Sequence, residues 1–356
     1  MLPSIFLFLW LAGESTAAEP QAGLSAVVDA SRTIVAARPV GEFPPRYPAM
    51  ELRSGRQAWV HVTYCIDEHG VPQNVGILES VGNARFDEAA IETVSRWRFE
   101  PATIDGQPSW QSRNEVYITF AIEGAEKAGS PGFARRFRRL SELIGEGALE
   151  EADALFWETY DQYPMSLYEL SKLWAQRVRL EILRDDMVAV DEALRRATAS
   201  DGLWIDAESY ESLMKLRVRV ALQLGHYWEA HHAFRKLAKA SDEDAEAVVE
   251  LAPLMEKLNG LIASDSILSV NGSIRDKAAC GFCDTGWKFT PVRSDFGIRD
   301  VDGKLEFVVM RCDHKRFESP VSDQVEWHIP ETWGTCHVEF RGAPGTTFRV
   351  LMFPDG

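Results

Sequence analysis

The residues of this chain best equipped for chemistry are its cysteines. Four of the five, Cys280, Cys283, Cys312 and Cys336, fall within its last eighty residues. Thiols grouped in this way can form disulfides, hold zinc as an S4 set, or exchange disulfides from a Cys-x-x-Cys pair such as Cys280-Gly-Phe-Cys283. Exchange chemistry needs a thiol whose pKa is lowered, typically at a helix N-terminus in a βαβ frame. Around Cys280 the pattern is one of short strands and turns, so structural disulfides are favoured over zinc and over redox exchange. Three connectivities are open. Cys312 with Cys336 and Cys280 with Cys283 is preferred, because Cys312 and Cys336 stand at the ends of strands that can be neighbours. Cys65 stands alone, a free thiol or an intermolecular link, and a half-buried free thiol is the preferred reading. His231 and His232 are adjacent and point in different directions on a helix, which makes a poor metal pair. No Gly-x-Ser-x-Gly elbow, His-Glu-x-x-His pair, phosphate-cradling glycine loop or EF-hand spacing occurs. No catalytic residue, metal site or cofactor is expected.

Three kinds of element carry these residues. Residues 264–356 alternate in short segments, with strands expected at 267–274, 286–289, 304–312, 325–329, 336–340 and 348–353. Asp302-Gly303 predicts a hairpin turn, and the whole reads as a small all-β sandwich with cysteines. Residues 133–262 are helical in period throughout. Residues 124–132 form a polar Gly/Pro linker before them. Acidic runs at Asp185-Asp186 and Ser241-Asp242-Glu243-Asp244 read as helix caps or solvated faces. Residues 43–123 begin with Pro44-Pro45-Arg46-Tyr47-Pro48, an extended entry, followed by a short helix ending at Gly55. Val60, Val62, Tyr64 and Ile66 alternate as a half-buried strand. A turn at Asp67-Glu68-His69-Gly70 leads to a second strand through Val75 and Ile77. Asn83 can cap a helix whose Phe86, Ala90, Val94 and Trp97 share one face. A third strand covers 114–122, with Val116, Ile118, Phe120 and Ile122 towards the helices and Glu115, Tyr117, Thr119 and Ala121 on the other side.

The order Tyr47-Pro48, Gly55, 60–67, Gly70-Val71, Phe86-Asp87, Ala89-Ala90, Trp97-Arg98-Phe99-Glu100-Pro101-Ala102, Gly106-Gln107-Pro108 and 118–120 resembles the C-terminal domain of TonB-type energy transducers. Ala58 stands where a second glycine is common, and Pro44 where a polar residue is common. The resemblance implies a small βαβ-type sheet-plus-helices domain whose edge strand accepts an extended segment of an outer-membrane receptor. It implies partner contacts from Arg46, Tyr47, Pro48, Glu115, Tyr117, Thr119 and Ala121. Trp97, Arg98, Phe99 and Pro101 form the structural core of the motif, with Trp97 and Phe99 buried. The helical region resembles tetratricopeptide repeats. Ala148-Leu149-Glu150-Glu151-Ala152 and His226-Tyr227-Trp228-Glu229-Ala230 match, each just after a glycine (Gly147, Gly225), with a weaker copy starting at Asp186 between them. The copies start 38 and 40 residues apart, longer than the ~34 of that family. Such stacked hairpins leave a concave surface suited to a partner.

The fold class is therefore multidomain α+β: residues 1–18 a signal peptide, 19–42 an N-terminal segment, 43–123 the transducer-like domain, 133–262 helical repeats and 264–356 the β module. A length of 356 residues fits two or three domains. A formal net charge of −16 excludes nucleic acid as the main partner, since that role rewards clustered cations. Residues 5–12 are apolar and precede Ser15-Thr16-Ala17-Ala18, the layout of a secretory signal cleaved near Ala18. The expected location is the periplasm, with an inner-membrane anchor as the alternative. The expected function is a TonB-like protein-binding module serving transmembrane transport through a receptor or another envelope protein. The alternatives are an anchored, force-coupled transducer and an envelope adaptor or thiol-disulfide protein using Cys280 and Cys283. An open edge strand also gives a route to a homodimer.

Overall fold

The computed structural model describes residues 33–40, 44–122, 129–241, 245–276, 286–322 and 324–354. Residues 1–18, the acidic run at 242–244, Cys280 and Cys283 lie outside these, so the readings placed on them do too. The chain is mixed α+β and divides by its contacts into two compact units. One comprises Met1–Ala125, Arg311–Arg316 and Pro330–Cys336; the other comprises Glu126–Met310, Phe317–Ile329 and His337–Gly356.

The first unit runs β1 (Ile34–Val35), β2 (Arg38–Pro39), α1 (Ala49–Ser54), β3 (Ala58–Ile66), β4 (Pro72–Val81), α2 (Ala84–Arg96), β5 (Phe99–Glu100), β6 (Ala102–Ile104), β7 (Gln107–Ser109) and β8 (Gln111–Phe120). Its main sheet has the order β4-β3-β8, antiparallel throughout. Asn83 caps α2 by accepting the Arg85 N–H at 3.1 Å, and Phe86, Ala90 and Val94 turn inward from that helix. They meet Val60, Val62, Tyr64 and Ile66 of β3 and Val116, Ile118 and Phe120 of β8 in one core. Two short pairings, β1 with β6 and β2 with β5, bring residues 34–39 into the same unit.

The expectation of a half-buried β3 needs correction, because Trp59, Thr63 and Cys65 on its second face are buried as well. Part of the reason is aromatic cover, since the Tyr117 ring of β8 packs edge-on to Trp59 at 5.4 Å and stacks on His61 at 4.2 Å. The turn after β3 closes around Asp67, whose Oδ1 accepts the His69 and Val71 N–H groups at 3.0 and 2.8 Å and whose Oδ2 accepts from Gln73.

The second unit contains α3 (Pro131–Glu146), α4 (Leu149–Gln162), α5 (Leu167–Leu183), α6 (Met187–Ala197), α7 (Ala207–Leu224), α8 (Tyr227–Ala240) and α9 (Glu246–Ile262). Each of these helices packs on the next, and α3 also meets α5 as α7 meets α9. The three similar stretches of sequence coincide with three turns of one kind. Gly147, Asp185 and Gly225 all take left-handed backbone, with φ of 74°, 57° and 75°. In each turn the next N–H reaches back five residues: Ala148 to the Leu143 carbonyl, Asp186 to Glu181 and His226 to Ala221.

The β elements are β9 (Leu268–Ser273), β10 (Trp287–Phe289), β11 (Asp295–Asp302), β12 (Leu305–Cys312), β13 (Arg316–Pro320), β14 (Glu326–His328), β15 (Cys336–Gly342) and β16 (Thr347–Met352). They form two four-stranded sheets, β10-β15-β12-β13 and β14-β11-β16-β9. Phe289 and Phe340 of the first sheet meet Phe296 and Phe348 of the second at 5.6 and 5.3 Å. The Asp302-Gly303 turn does not make a hairpin, because β11 and β12 lie in different sheets. The turn is tight, but the strands flanking it take other partners.

Candidate functional site

The border strand β8 is shaped by its own alternation. Val116, Ile118 and Phe120 are buried in the core, while Glu115, Tyr117 and Thr119 are half-buried on the other face. Ala121 and Ile122 follow the strand and are also half-buried. From Tyr64↔Asn114 to Ala58↔Phe120 the register with β3 is unbroken. The one irregularity lies nearer the start of β8, where Arg113 takes φ 56° and the register shifts between Tyr64 and Ile66. Among the described residues no strand pairs with the outer side of β8. In an antiparallel strand every second residue turns its N–H and C=O away from its neighbour, so this border presents a row of peptide groups.

The opposite border, β4, is blunted. It starts at Pro72, carries Asn74 at φ 52°, and shifts register twice against β3. Proline and bulges of this kind discourage strand addition. The regular border is therefore β8 from Asn114 onwards.

The sequence-assigned residues take different stations around it. Arg46 is exposed, and Tyr47 and Pro48 are half-buried. The Tyr47 ring stands edge-on to Phe86 and Phe120 at 5.8 and 5.6 Å. Its hydroxyl donates to the Arg56 carbonyl oxygen and lies 3.4 Å from that of Phe120. Burial, followed by the nearby Glu51 carboxylate, raises the Tyr47 pKa well above the ordinary phenol value and keeps the hydroxyl protonated. On the second face His61 Nε2 lies 3.1 Å from Glu115 Oε2. Thus Glu115, Tyr117 and His61 form one cluster beside the border, and Tyr47 supports the end of β8 from the core side. Trp97 and Phe99 are buried, packing on each other and on Tyr64 at 5.9–6.2 Å. Arg98 is exposed and donates to the Trp97 carbonyl at 2.6 Å, near the end of α2, where a cation suits the helix dipole. Pro101 is half-buried between β5 and β6.

Cys312 and Cys336 form a disulfide with Cα atoms 3.9 Å apart. It joins the end of β12 to the start of β15, which are neighbours in one sheet. Cys65 is free and buried rather than half-buried. No cluster of three or more metal-ligating side chains occurs among the described residues, and no described helix is long and apolar enough to cross a membrane.

Two features, one in each unit, escape sequence reasoning. Asp313 meets Arg113 and Ser112 across 200 residues of chain, and nothing local to either announces it. His232, read from the sequence only as half of a poor metal pair, stacks on Trp228 at 4.9 Å, and burial together with Lys236, Arg217 and Arg235 pushes its pKa down to about 3.

Residues 44–122 match the family model described as Gram-negative bacterial TonB protein C-terminal. Protein TonB of Xanthomonas campestris pv. campestris is 33% identical over 79 residues, which is 22% of this chain and 35% of that protein. Protein TonB of Vibrio cholerae serotype O1 is 30% identical over 83 residues, 23% of this chain and 34% of the relative. A solution NMR structure of the Pseudomonas aeruginosa TonB CTD is 29% identical, covering 25% of this chain and 90% of that one, with a TM-score of 0.21. The chain spans about a third of the length of the curated relatives named here. The matched residues take in α1, α2 and β3 to β8, so the resemblance read from the sequence holds for this stretch.

Proposed function

We infer that a TonB-type C-terminal domain at residues 44–122 makes this chain a protein-docking component of envelope transport, working on the periplasmic side of an outer-membrane receptor. The carrying observation is the order β4-β3-β8, with β8 a regular border strand and β4 a blunted one. An extended receptor segment adds to β8, backbone hydrogen bonds supply affinity, and Glu115, Tyr117 and Thr119 read its alternate side chains. Arg46 and Pro48 line the entry, and Tyr47 acts through the packing of Phe120. The helical hairpins of the second unit, taken as tetratricopeptide-like, offer a second protein-binding surface. No catalytic step belongs to this reading.

Isotope-labelled full-length protein, titrated with synthetic peptides tiling the periplasm-facing segments of outer-membrane receptors from the same genome, tests it. Backbone resonances of residues 114–120 should shift. If no peptide moves them, or if shifts concentrate on β4, the reading fails.

A further inference from the structure

The border strand is occupied at its start. The Ser112 N–H donates to the Asp313 carbonyl oxygen at 3.0 Å. Arg113 grips the Asp313 carboxylate through Nε at 2.7 Å and Nη2 at 2.6 Å. The residues around Asp313, Arg311–Arg316 and Pro330–Cys336, belong to the same compact unit as β8.

Asp313 is itself held. Its Oδ2 accepts the Thr335 N–H at 2.8 Å, and its own N–H donates to the Thr335 carbonyl at 3.2 Å. The His314 N–H donates to the Trp333 carbonyl at 3.1 Å. A Cβ on Gly334, which sits at φ 72°, would lie 2.5 Å from Asp313 Oδ2, so the two loops fit without slack. The Cys312–Cys336 disulfide joins them covalently. At the far end of the strand, the Tyr47 hydroxyl stands 3.4 Å from the Phe120 carbonyl oxygen.

We propose that this disulfide-joined loop pair is a stop built onto the docking edge, limiting an incoming extended segment to residues 114–120 and fixing where its pairing begins. The inference rests on the docking reading above and adds the length and register of the partner. A segment running past Asn114 must displace Asp313 from the Ser112 N–H and break a charge-assisted pair with Arg113. The loops cannot swing aside as a free tail could, because the disulfide holds both. The window of 114–120 spans about 23 Å of strand, so the partner is a short extended stretch of roughly seven residues.

The test is amide hydrogen exchange on the oxidised full-length protein with the receptor-tiling peptides, comparing wild type with Asp313→Ala and Arg113→Gln. In wild type the complex should slow exchange across 114–120 and leave Ser112 and Arg113 unchanged. Asp313→Ala keeps the backbone carbonyl but removes the carboxylate that grips Arg113 and the Thr335 N–H, so the loop loosens from the strand. The slowed stretch should then extend back to Ser112 and the peptide Kd should fall about fivefold, the effect of one added backbone rung. Arg113→Gln leaves the loop pair intact and should shift both readouts the same way by about twofold, which decides the matter if Asp313→Ala does not fold. Unchanged footprint and Kd in the folded variants would overturn the stop while leaving docking in place. Failure of every peptide to slow exchange on β8 would overturn docking and the stop with it.

Discussion

Gly70 shows how far a single residue governs the first unit. It sits at φ 75° in the turn that closes on Asp67, and a Cβ there would lie 1.8 Å from the Phe99 carbonyl oxygen. That oxygen belongs to β5, whose Phe99 N–H donates back to the Gly70 carbonyl at 2.9 Å. Gly70→Ala therefore forces either the turn or β5 to move, and should destabilise this unit by about 3 kcal/mol in chemical denaturation. His232 gives a second residue-scale prediction. Its folded pKa of about 3 lies below the ordinary imidazole value, so the folded state holds it neutral while the unfolded chain takes up a proton. This stability is fully present above the unfolded value of ~6.5 and is lost as pH falls, at up to about 1.4 kcal/mol per unit. Urea unfolding between pH 7 and pH 4 should show a steeper loss in wild type than in His232→Gln. The Asp67 turn was legible in the sequence because its residue types state a local backbone shape. The neutrality of His232 was not, since it depends on Lys236, Arg217, Arg235 and burial that only the packed helices create.

At the scale of elements, Asp186 joins two of them. It caps α6 by accepting the Ala189 N–H at 3.0 Å, and it holds Arg275, just after β9, through both carboxylate oxygens. Burial opposes its ionisation, but the hydrogen bonds from Arg275 and Ala189 outweigh that and hold the carboxyl below its usual range. Asp186→Ala loses cap and ion pair together and should lower stability by about 2–4 kcal/mol. Asp186→Asn keeps the cap and should lower it by less. A thermal double-mutant cycle with Arg275→Met isolates the pair. The sequence showed this acidic position as a helix end, and the turn before it as a copy of two others, because Gly147, Gly225 and Asp185 sit at matched offsets from the following helix. It could not show Arg275 as partner. The same limit explains the Asp302-Gly303 turn, whose residues specify a tight reversal but not which strands pair beside it. It also explains β13, Arg316–Pro320, whose polar composition gives no strand signal.

For the whole molecule, the Cys312–Cys336 bridge is the feature with the widest reach. It closes 24 residues of chain and ties together the loops grouped with the first unit. The paired substitution Cys312→Ser with Cys336→Ser should lower stability by about 3 kcal/mol, read as an earlier denaturant midpoint than that of oxidised wild type. This pairing was accessible beforehand because both cysteines end strands, and strand ends that are neighbours bring thiols into range. The loop contacts with Ser112 and Arg113 were not accessible, since they span 200 residues and rest on no repeated spacing. The organisation into strands, helices and strands could likewise be read from period alone, whereas the grouping into two units is a product of packing.

The most direct test of the central claim is a photo-crosslinking scan in living cells, with the probe at Thr119 on β8 and at Leu78 on β4. The docking account predicts that the Thr119 probe captures an outer-membrane receptor and that the Leu78 probe does not. Capture from Leu78 alone, or from neither position while the protein remains folded, would contradict it.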